Sequence, residues 1–419
     1  MNILLLEAST PFGGTSPPRT VCSTLLQVPQ HNVRWIDPLD IYSHAGQRGL
    51  YRTLIEYVQE SAIDVIIYAL GREFAIHPLF IKKHLGSCLR VLHVSDDETL
   101  FDLSHRYYAQ AFDLVLTTNP LIERYQTYGI NALYAGGGFD RTTFPVRTDR
   151  NRTRDVSFIG SLVGKPGRQD AIEALTRNGF HVDLYGYGTP AGVVSDEERA
   201  AIYHQSRINL NLTRINFSTP YERASALNQR IRAPKGRCQE AAMCGSFVLS
   251  EYAPGIERVF EIGTEIDVFR SDRELVEKVS YYLKNEDVRE SMALRAHQRA
   301  LREYEAVAFW SDILNKLAEQ RNQHRKSAEP IMLDRSFLAA FGAYRIEYAV
   351  FFMFCGQWRF LFRELMWLFR HPHLNIRFAI WHARLGLAWA SRSSRFAEGF
   401  RKILIGIRAC LRAFLRVLR

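Results

Sequence analysis

Short apolar runs recur at Ile3–Leu6, Val33–Ile36, Val65–Ala69, Arg90–Val94 and Leu114–Thr117, separated by helix-length segments such as Leu50–Ser61 and Pro78–His84. Strands spaced this way cannot be joined by tight turns, and their alternation with helical patterns implies parallel βαβ units covered on both faces. The series closes near Tyr134–Phe139, a polar basic stretch follows at Arg147–Arg154, and a second series opens with Asp155–Gly160. It continues through Val182–Tyr185, Ile208–Leu212, Phe247–Leu249 and Ile266–Phe269, with a long helical segment from Arg273 to about Tyr304. The expectation is an α/β chain with two Rossmann-like domains, residues 1–146 and 147–320, facing each other across a cleft. Ligands of such sheets sit at the carboxyl ends of the strands, where Gly13-Gly14, Gly160-Ser161, Gly186 and Glu240 fall.

Beyond the polar break Gln320–Pro330 the chain changes character, and residues 331–419 form a tail dominated by Arg, Trp, Phe and Leu. The net charge of +10 resides there: 15 basic and four acidic residues follow Pro330, leaving 39 basic and 40 acidic residues in the remainder. A near-neutral body with a basic end is not the pattern of a nucleic-acid-binding protein. On a helical wheel Leu404, Ile407, Leu411, Phe414, Leu415 and Leu418 share one side, with Arg401, Lys402, Arg408, Arg412, Arg416 and Arg419 beside it and Ile405 as the exception. That combination suits an anionic membrane surface, and Phe351, Phe352, Trp358, Phe360, Phe362, Trp367, Phe369, Trp381 and Trp389 supply aromatic groups for the headgroup level. The alternatives are that these helices pack on the body or join copies of the chain, or that the basic face binds nucleic acid, for which a single basic helix without a recognisable DNA-binding module is weak evidence. The longest charge-free run, Tyr348–Trp358, is too short to span a bilayer, which takes about 20 apolar residues.

Six scattered cysteines without a Cys-x-x-Cys pair, and an N-terminus that reaches an acid at Glu7 without a basic leader, point to a reducing cytoplasm. The histidines show no metal-ligand spacing, and neither a Gly-x-Ser-x-Gly elbow nor a Walker lysine motif is present.

The stretch Arg237–Leu249, followed by Tyr252–Glu257, places a carboxylate on a small-residue helix, then a glycine, a buried strand and a second glycine loop. Glu240 is placed to accept hydrogen bonds from a ribose diol; the plainer alternative is a helix–strand junction whose glutamate faces solvent. The run Glu240–Gly245 resembles the donor-binding end of GT-B glycosyltransferases. The wider pattern is similar to the CgeB (spore maturation protein) type, on Ser95–Asp97, Phe112–Thr118, Asp155–Ser161, Tyr185–Gly188, Asn209–Leu212 and Ser250–Tyr252, a resemblance that covers about residues 60–305.

The resemblance implies transfer of a sugar from a nucleoside diphosphate sugar, with no cofactor and no tightly bound metal. Its residue roles would give Glu240 the donor ribose, Gly255 and Glu257 the sugar or diphosphate side, and Lys165 a phosphate. Ser161, Arg168 and Arg237 would support the diphosphate, and Gly13-Gly14 would let backbone N–H groups approach it. Arg232 stands where many retaining enzymes carry a glutamate, so retention and inversion both stay open. An inverting enzyme needs a base near the acceptor hydroxyl, and Asp96, Asp97 or His93 at a first-domain strand end are the candidates, against a reading of Ser95-Asp96-Asp97 as helix-start chemistry. Asp96 and Asp97 are adjacent, not the spaced pair of metal-dependent transferases. The expected acceptor is an envelope or lipid-linked glycan at the inner face of the cell membrane. Alternative functions are a nucleotide-sugar epimerase and a non-catalytic glycan-binding or scaffold protein.

Overall fold

The computed structural model describes residues 1–9, 20–71, 74–146, 151–215, 231–322, 331–393, 395–401 and 403. The first sheet contains β1 (Asn2–Glu7), β2 (Asn32–Ile36), β3 (Val65–Leu70), β4 (Leu89–Val94), β5 (Leu114–Thr117) and β6 (Ala132–Tyr134), in the order β2-β1-β3-β4-β5-β6 with parallel pairings. Continuous apolar sequence and complete burial coincide in β3, and β4 is equally buried although it includes His93 and Arg90, the latter paired with Asp113 at 2.6 Å, as expected of strands covered on both faces. Helix α1 (Pro38–Glu60) starts where the Asp37 carboxylate accepts hydrogen bonds from the N–H groups of Leu39 and Asp40 and Pro38 occupies the first helical position. Helix α2 (Pro78–His84) follows β3.

The second sheet has β7 (Arg154–Ile159), β8 (Val182–Tyr185), β9 (Ser206–Asn211), β10 (Val248–Glu251) and β11 (Asp267–Phe269), ordered β11-β10-β9-β7-β8 and again parallel. Its longer helices are α3 (Pro166–Arg177), α4 (Asp196–Gln205), α5 (Arg237–Met243), α6 (Asp272–Lys284) and α7 (Glu286–Glu303). Every strand expected from sequence is found.

Helix α8 (Ala306–Asn322) departs from the expected division at 320. It returns to the first domain, where Phe309, Trp310, Ile313, Leu314 and Leu317 pack with Ile3, Leu5, Val65 and Val91 on one face of the first sheet. Trp310 is fully buried and donates its indole N–H to Thr24 Oγ1 at 3.0 Å.

The tail was expected as a separate appendage from residue 331, and its first helix is instead part of the body. Helix α9 (Arg335–Phe354) completes the core on the other face of the first sheet, with Phe337, Phe341 and Phe352 wholly buried among Tyr42, Phe74 and Tyr108. Each ring removed from water contributes roughly 1.5–3 kcal/mol. Among the described residues α9 is the one helix long and apolar enough to cross a membrane, yet it is mostly buried within the protein. It also carries charges that the protein itself satisfies. Arg345 donates to the Tyr42 hydroxyl at 2.6 Å and to the Phe74 carbonyl at 3.0 Å, and lies 3.4 Å from Glu364 of α10 (Trp358–Arg370). Glu347 meets His382 of α11 (Ile376–Arg392) at 2.5 Å. Gly46 gives α1 a kink at φ +64°, and its missing Cβ leaves room for Phe360, whose ring would lie 2.8 Å from a Cβ there. Of the aromatic residues expected at a membrane, Phe351, Phe352 and Trp389 are buried, while Trp358, Phe362 and Phe369 are exposed. The last amphipathic segment, from residue 404 onward, lies outside the described residues.

Candidate active site

In the second sheet the strand order reverses between β7 and β9, so a crevice opens outside their carboxyl ends. Two guanidinium groups bridge it. Arg237, at the start of α5, donates to the Ile159 carbonyl at 2.7 Å, to Asn211 Oδ1 at 3.3 Å and to the Leu212 carbonyl at 3.3 Å. Arg168, buried on α3, donates to the carbonyls of Ser161 at 2.9 Å and Arg214 at 3.2 Å. Glycine at 160 is required by close approach, because a Cβ there would lie 2.2 Å from Arg237 Nη1. Burial, then the neighbouring Arg237 charge, pulls the Arg168 pKa down to about 9. Among the described residues neither arginine forms an ion pair with a carboxylate, so two neighbouring cations lie at the strand switch point, each held by backbone carbonyls. Ser161 and Lys165 sit beside them, Lys165 immediately before α3.

A cavity of about 840 Å³ lies between the domains. Glu98, Asn119 and Arg124 line it from the first domain, and Arg232, Tyr252 and Arg270 from the second. Its floor on the second-domain side is Glu251 at the end of β10, which binds Arg214 Nε at 2.5 Å and Arg232 Nε at 3.1 Å. Arg232 therefore does not leave a gap where a glutamate is often found; it brings a cation to the cavity, oriented by a buried acid.

The first-domain candidates separate sharply. Asp97 is buried and already holds His105 Nδ1 at 2.8 Å, the Tyr125 hydroxyl at 2.8 Å and the Thr117 hydroxyl at 3.0 Å, so it braces β5 and the following helices instead of facing the cavity. His93 is buried on β4, and burial followed by repulsion from His105 takes its pKa to about 4, leaving the ring neutral. Asp96, in a left-handed conformation at φ +51°, points outward, 3.6 Å from Lys235 of the second domain. The residue that faces the cavity is Glu98, which was not among the sequence candidates. Its side chain is 8% exposed, Oε1 accepts from Asn119 at 3.2 Å, and Oε2 accepts no hydrogen bond among the described residues, with Lys235 at 4.0 Å. Burial raises its pKa, and Lys235 offsets part of that rise.

Glu240 lines a second interdomain cavity of about 610 Å³, with Thr20, Thr24, Phe139 and Asp196. Its oxygens accept from Arg199 at 3.2 Å and the Tyr203 hydroxyl at 2.7 Å, which leaves each a further lone pair. One segment joins the features: Arg232 at the larger cavity, Lys235 opposite Glu98, Arg237 at the switch point and Glu240 at the smaller cavity. Gly255 abuts Pro120 of the first domain, and Glu257 is exposed beside the larger cavity, accepting from Tyr252 at 2.7 Å. Gly13 and Gly14 lie outside the described residues. Among the described residues no three His, Cys, Asp or Glu side chains are gathered as a metal site.

Residues 168–315, about a third of the chain, match a family model described as glycosyl transferase-like. No curated protein matches the chain. Among solved structures, Anabaena HepE in complex with UDP and glucose superposes with a TM-score of 0.54 at 15% identity, covering 76% of this chain and 99% of that one. Sucrose-phosphate synthase from Thermosynechococcus elongatus gives a TM-score of 0.54 at 11% identity, with 77% and 98% covered. AviGT4, a glycosyltransferase of avilamycin A biosynthesis, gives 0.51 at 13%, with 77% and 98% covered. Two parallel-sheet α/β domains with these likenesses make the fold GT-B.

Proposed function

We propose that the protein is a glycosyltransferase that moves a sugar from a nucleoside diphosphate sugar to an acceptor hydroxyl. The acceptor is an envelope or lipid-linked glycan at the cytoplasmic face of the membrane, and the chain is a relative of the CgeB type. The observation that carries the reaction is the interdomain cavity in which Glu98 of one domain faces Arg232 and Arg270 of the other, next to the Arg168–Arg237 pair, which forms no ion pair among the described residues. A nucleotide-sugar donor is supported by the HepE structures, which hold UDP and UDP-glucose.

In this reading the donor runs along residues 232–240. Glu240 accepts hydrogen bonds from the ribose diol, and the diphosphate lies at the β7–β9 crevice against Arg168, Arg237 and Lys165, with Ser161 adding a polar contact. The sugar enters the larger cavity, beside Arg232, Gly255 and Glu257. The acceptor oxygen attacks the anomeric carbon as the bond to the diphosphate breaks. Glu98 Oε2 takes the acceptor proton, and the arginines stabilise the charge that develops on the leaving diphosphate. A single displacement of this kind inverts the anomeric centre. Asp96 and Lys235 hold the rim of the cleft, and Asp97, anchored to Thr117, His105 and Tyr125, positions the short helix Asp97–Leu100 that carries Glu98.

Glu98→Gln keeps the shape and the Asn119 contact, removes the base, and is expected to lower kcat by about 10²–10⁴-fold with donor affinity little changed. Turnover within threefold of the unaltered protein would sink Glu98 as the base. Incubation with donor alone separates the alternatives: epimerised donor without acceptor marks an epimerase, and absence of nucleoside diphosphate binding marks a non-catalytic protein.

A further inference from the structure

Helix α10 has three distinct sides. Phe360, Glu364 and Trp367 turn inward, against Gly46 of α1, Arg345 and Phe341. Trp358, Phe362, Leu365 and Phe369, spaced four, three and four residues apart, form one exposed apolar stripe, and Phe369 is 82% exposed. Arg359, Arg363 and Arg370 fall together along one flank of that stripe. Helix α11 repeats the plan: Phe378, His382 and Trp389 are buried, Ile376, Ile380 and Leu387 are exposed, and Arg377 and Arg384 are exposed beside them.

We infer that the exposed faces of α10 and α11 are the surface by which the protein docks on an anionic lipid bilayer, the stripe entering the headgroup level and the flanking arginines meeting lipid phosphates. This deepens the membrane location proposed above, on which it rests, and it is independent of the transfer chemistry.

Charge decides the occupant. The two helices carry six arginines and one acid, Glu364, which is buried against Arg345. Among the described residues Arg359, Arg363, Arg370, Arg377 and Arg384 form no ion pair. Burial and then repulsion from Arg359 and Arg48 lower the pKa of Arg363, a sign of crowded positive charge lacking a counter-ion. A second copy related by a twofold axis would present the same arginines and oppose like with like. The chain's own end would add Arg408, Arg412, Arg416 and Arg419, again of the same sign. Anionic headgroups neutralise the flank while the acyl boundary receives the stripe, the arrangement of an interfacial helix.

The test is co-sedimentation of the full chain with vesicles of three parts phosphatidylcholine to one part phosphatidylserine, against vesicles of phosphatidylcholine alone. Binding to the mixed vesicles is expected, with little to the neutral ones. Each arginine near an anionic surface is worth about fivefold in affinity, so Arg359→Gln/Arg363→Gln/Arg370→Gln is expected to weaken binding on the order of 100-fold. Phe362→Ser/Phe369→Ser is expected to weaken it as well, and unchanged Tm for both variants shows that the fold is kept. Vesicle affinity of the arginine variant equal to that of the unaltered chain overturns the inference. So does loss of all binding on truncation after Ile403, which would place the contact in the last segment. Self-association that these variants abolish, or binding of RNA in preference to the mixed vesicles, overturns it too. Nucleoside diphosphate binding, measured on the same samples without lipid, reports separately on the donor site.

Discussion

Replacing Glu364 with glutamine removes the charge against which Arg345 is buried. In the folded protein Arg345 keeps its bonds to the Tyr42 hydroxyl at 2.6 Å and the Phe74 carbonyl at 3.0 Å, and the faces of Tyr42, Phe341 and Tyr348 remain around it. Glutamine still accepts from Tyr42, so the loss is mainly electrostatic. Removing one partner of a buried pair costs about 3–5 kcal/mol, and the retained hydrogen bonds place this case near ~3 kcal/mol. At about 2–4 °C per kcal/mol for a body of 150–250 residues, Tm is expected to fall by about 6–12 °C. The double replacement Arg345→Met/Glu364→Leu removes both charges and is expected to recover most of that loss. Tryptophan fluorescence during thermal unfolding reads the change. A Glu364→Gln Tm within about 1 °C of the unaltered chain would refute the reasoning, and with it the placement of α10 against the first domain.

Deleting residues 331–419 strips α9 from the first-domain core and is expected to give insoluble or unfolded protein by circular dichroism. Gly160→Ala forces a shift of Arg237 and is expected to cost about 1–3 kcal/mol, read as a lower Tm together with weaker nucleoside diphosphate binding. Because the base must be ionised to act and burial raises the Glu98 pKa, kcat/KM for acceptor falls as pH drops through that raised value. The acid limb therefore lies above an ordinary glutamate, and Glu98→Gln is expected to abolish it in the residual rate.

The strands were legible because a strand buried on both faces is written mainly in apolar residues, without a break in Val65–Leu70 and with only Arg90 and His93 intervening in Leu89–Val94. The switch-point crevice was legible too, through Gly160 and the arginines near it. What the tail helices touch was not. A helical wheel shows that α10 has an apolar side and a basic side, but it does not say that Phe360 fits over Gly46 or that Glu364 meets an arginine 19 residues earlier. Glu98, the proposed base, was missed for a related reason. Ser95–Glu98 contains three consecutive acids, and only the left-handed turn at Asp96 decides that Asp97 goes into the core and Glu98 into the cavity. Glu98 is recognisable once burial and an unfilled oxygen are seen together.

The central claim is that the interdomain cleft holds a nucleoside diphosphate sugar, with the ribose on Glu240. Calorimetric titration of the full chain with a panel of nucleoside diphosphates, repeated with Glu240→Ala, tests it most directly. At least one nucleoside diphosphate is expected to bind, and loss of the charge-assisted ribose contact is expected to weaken it by about tenfold or more at roughly 1.5–3 kcal/mol. No binding across the panel, or equal affinity in a correctly folded Glu240→Ala protein, would contradict it.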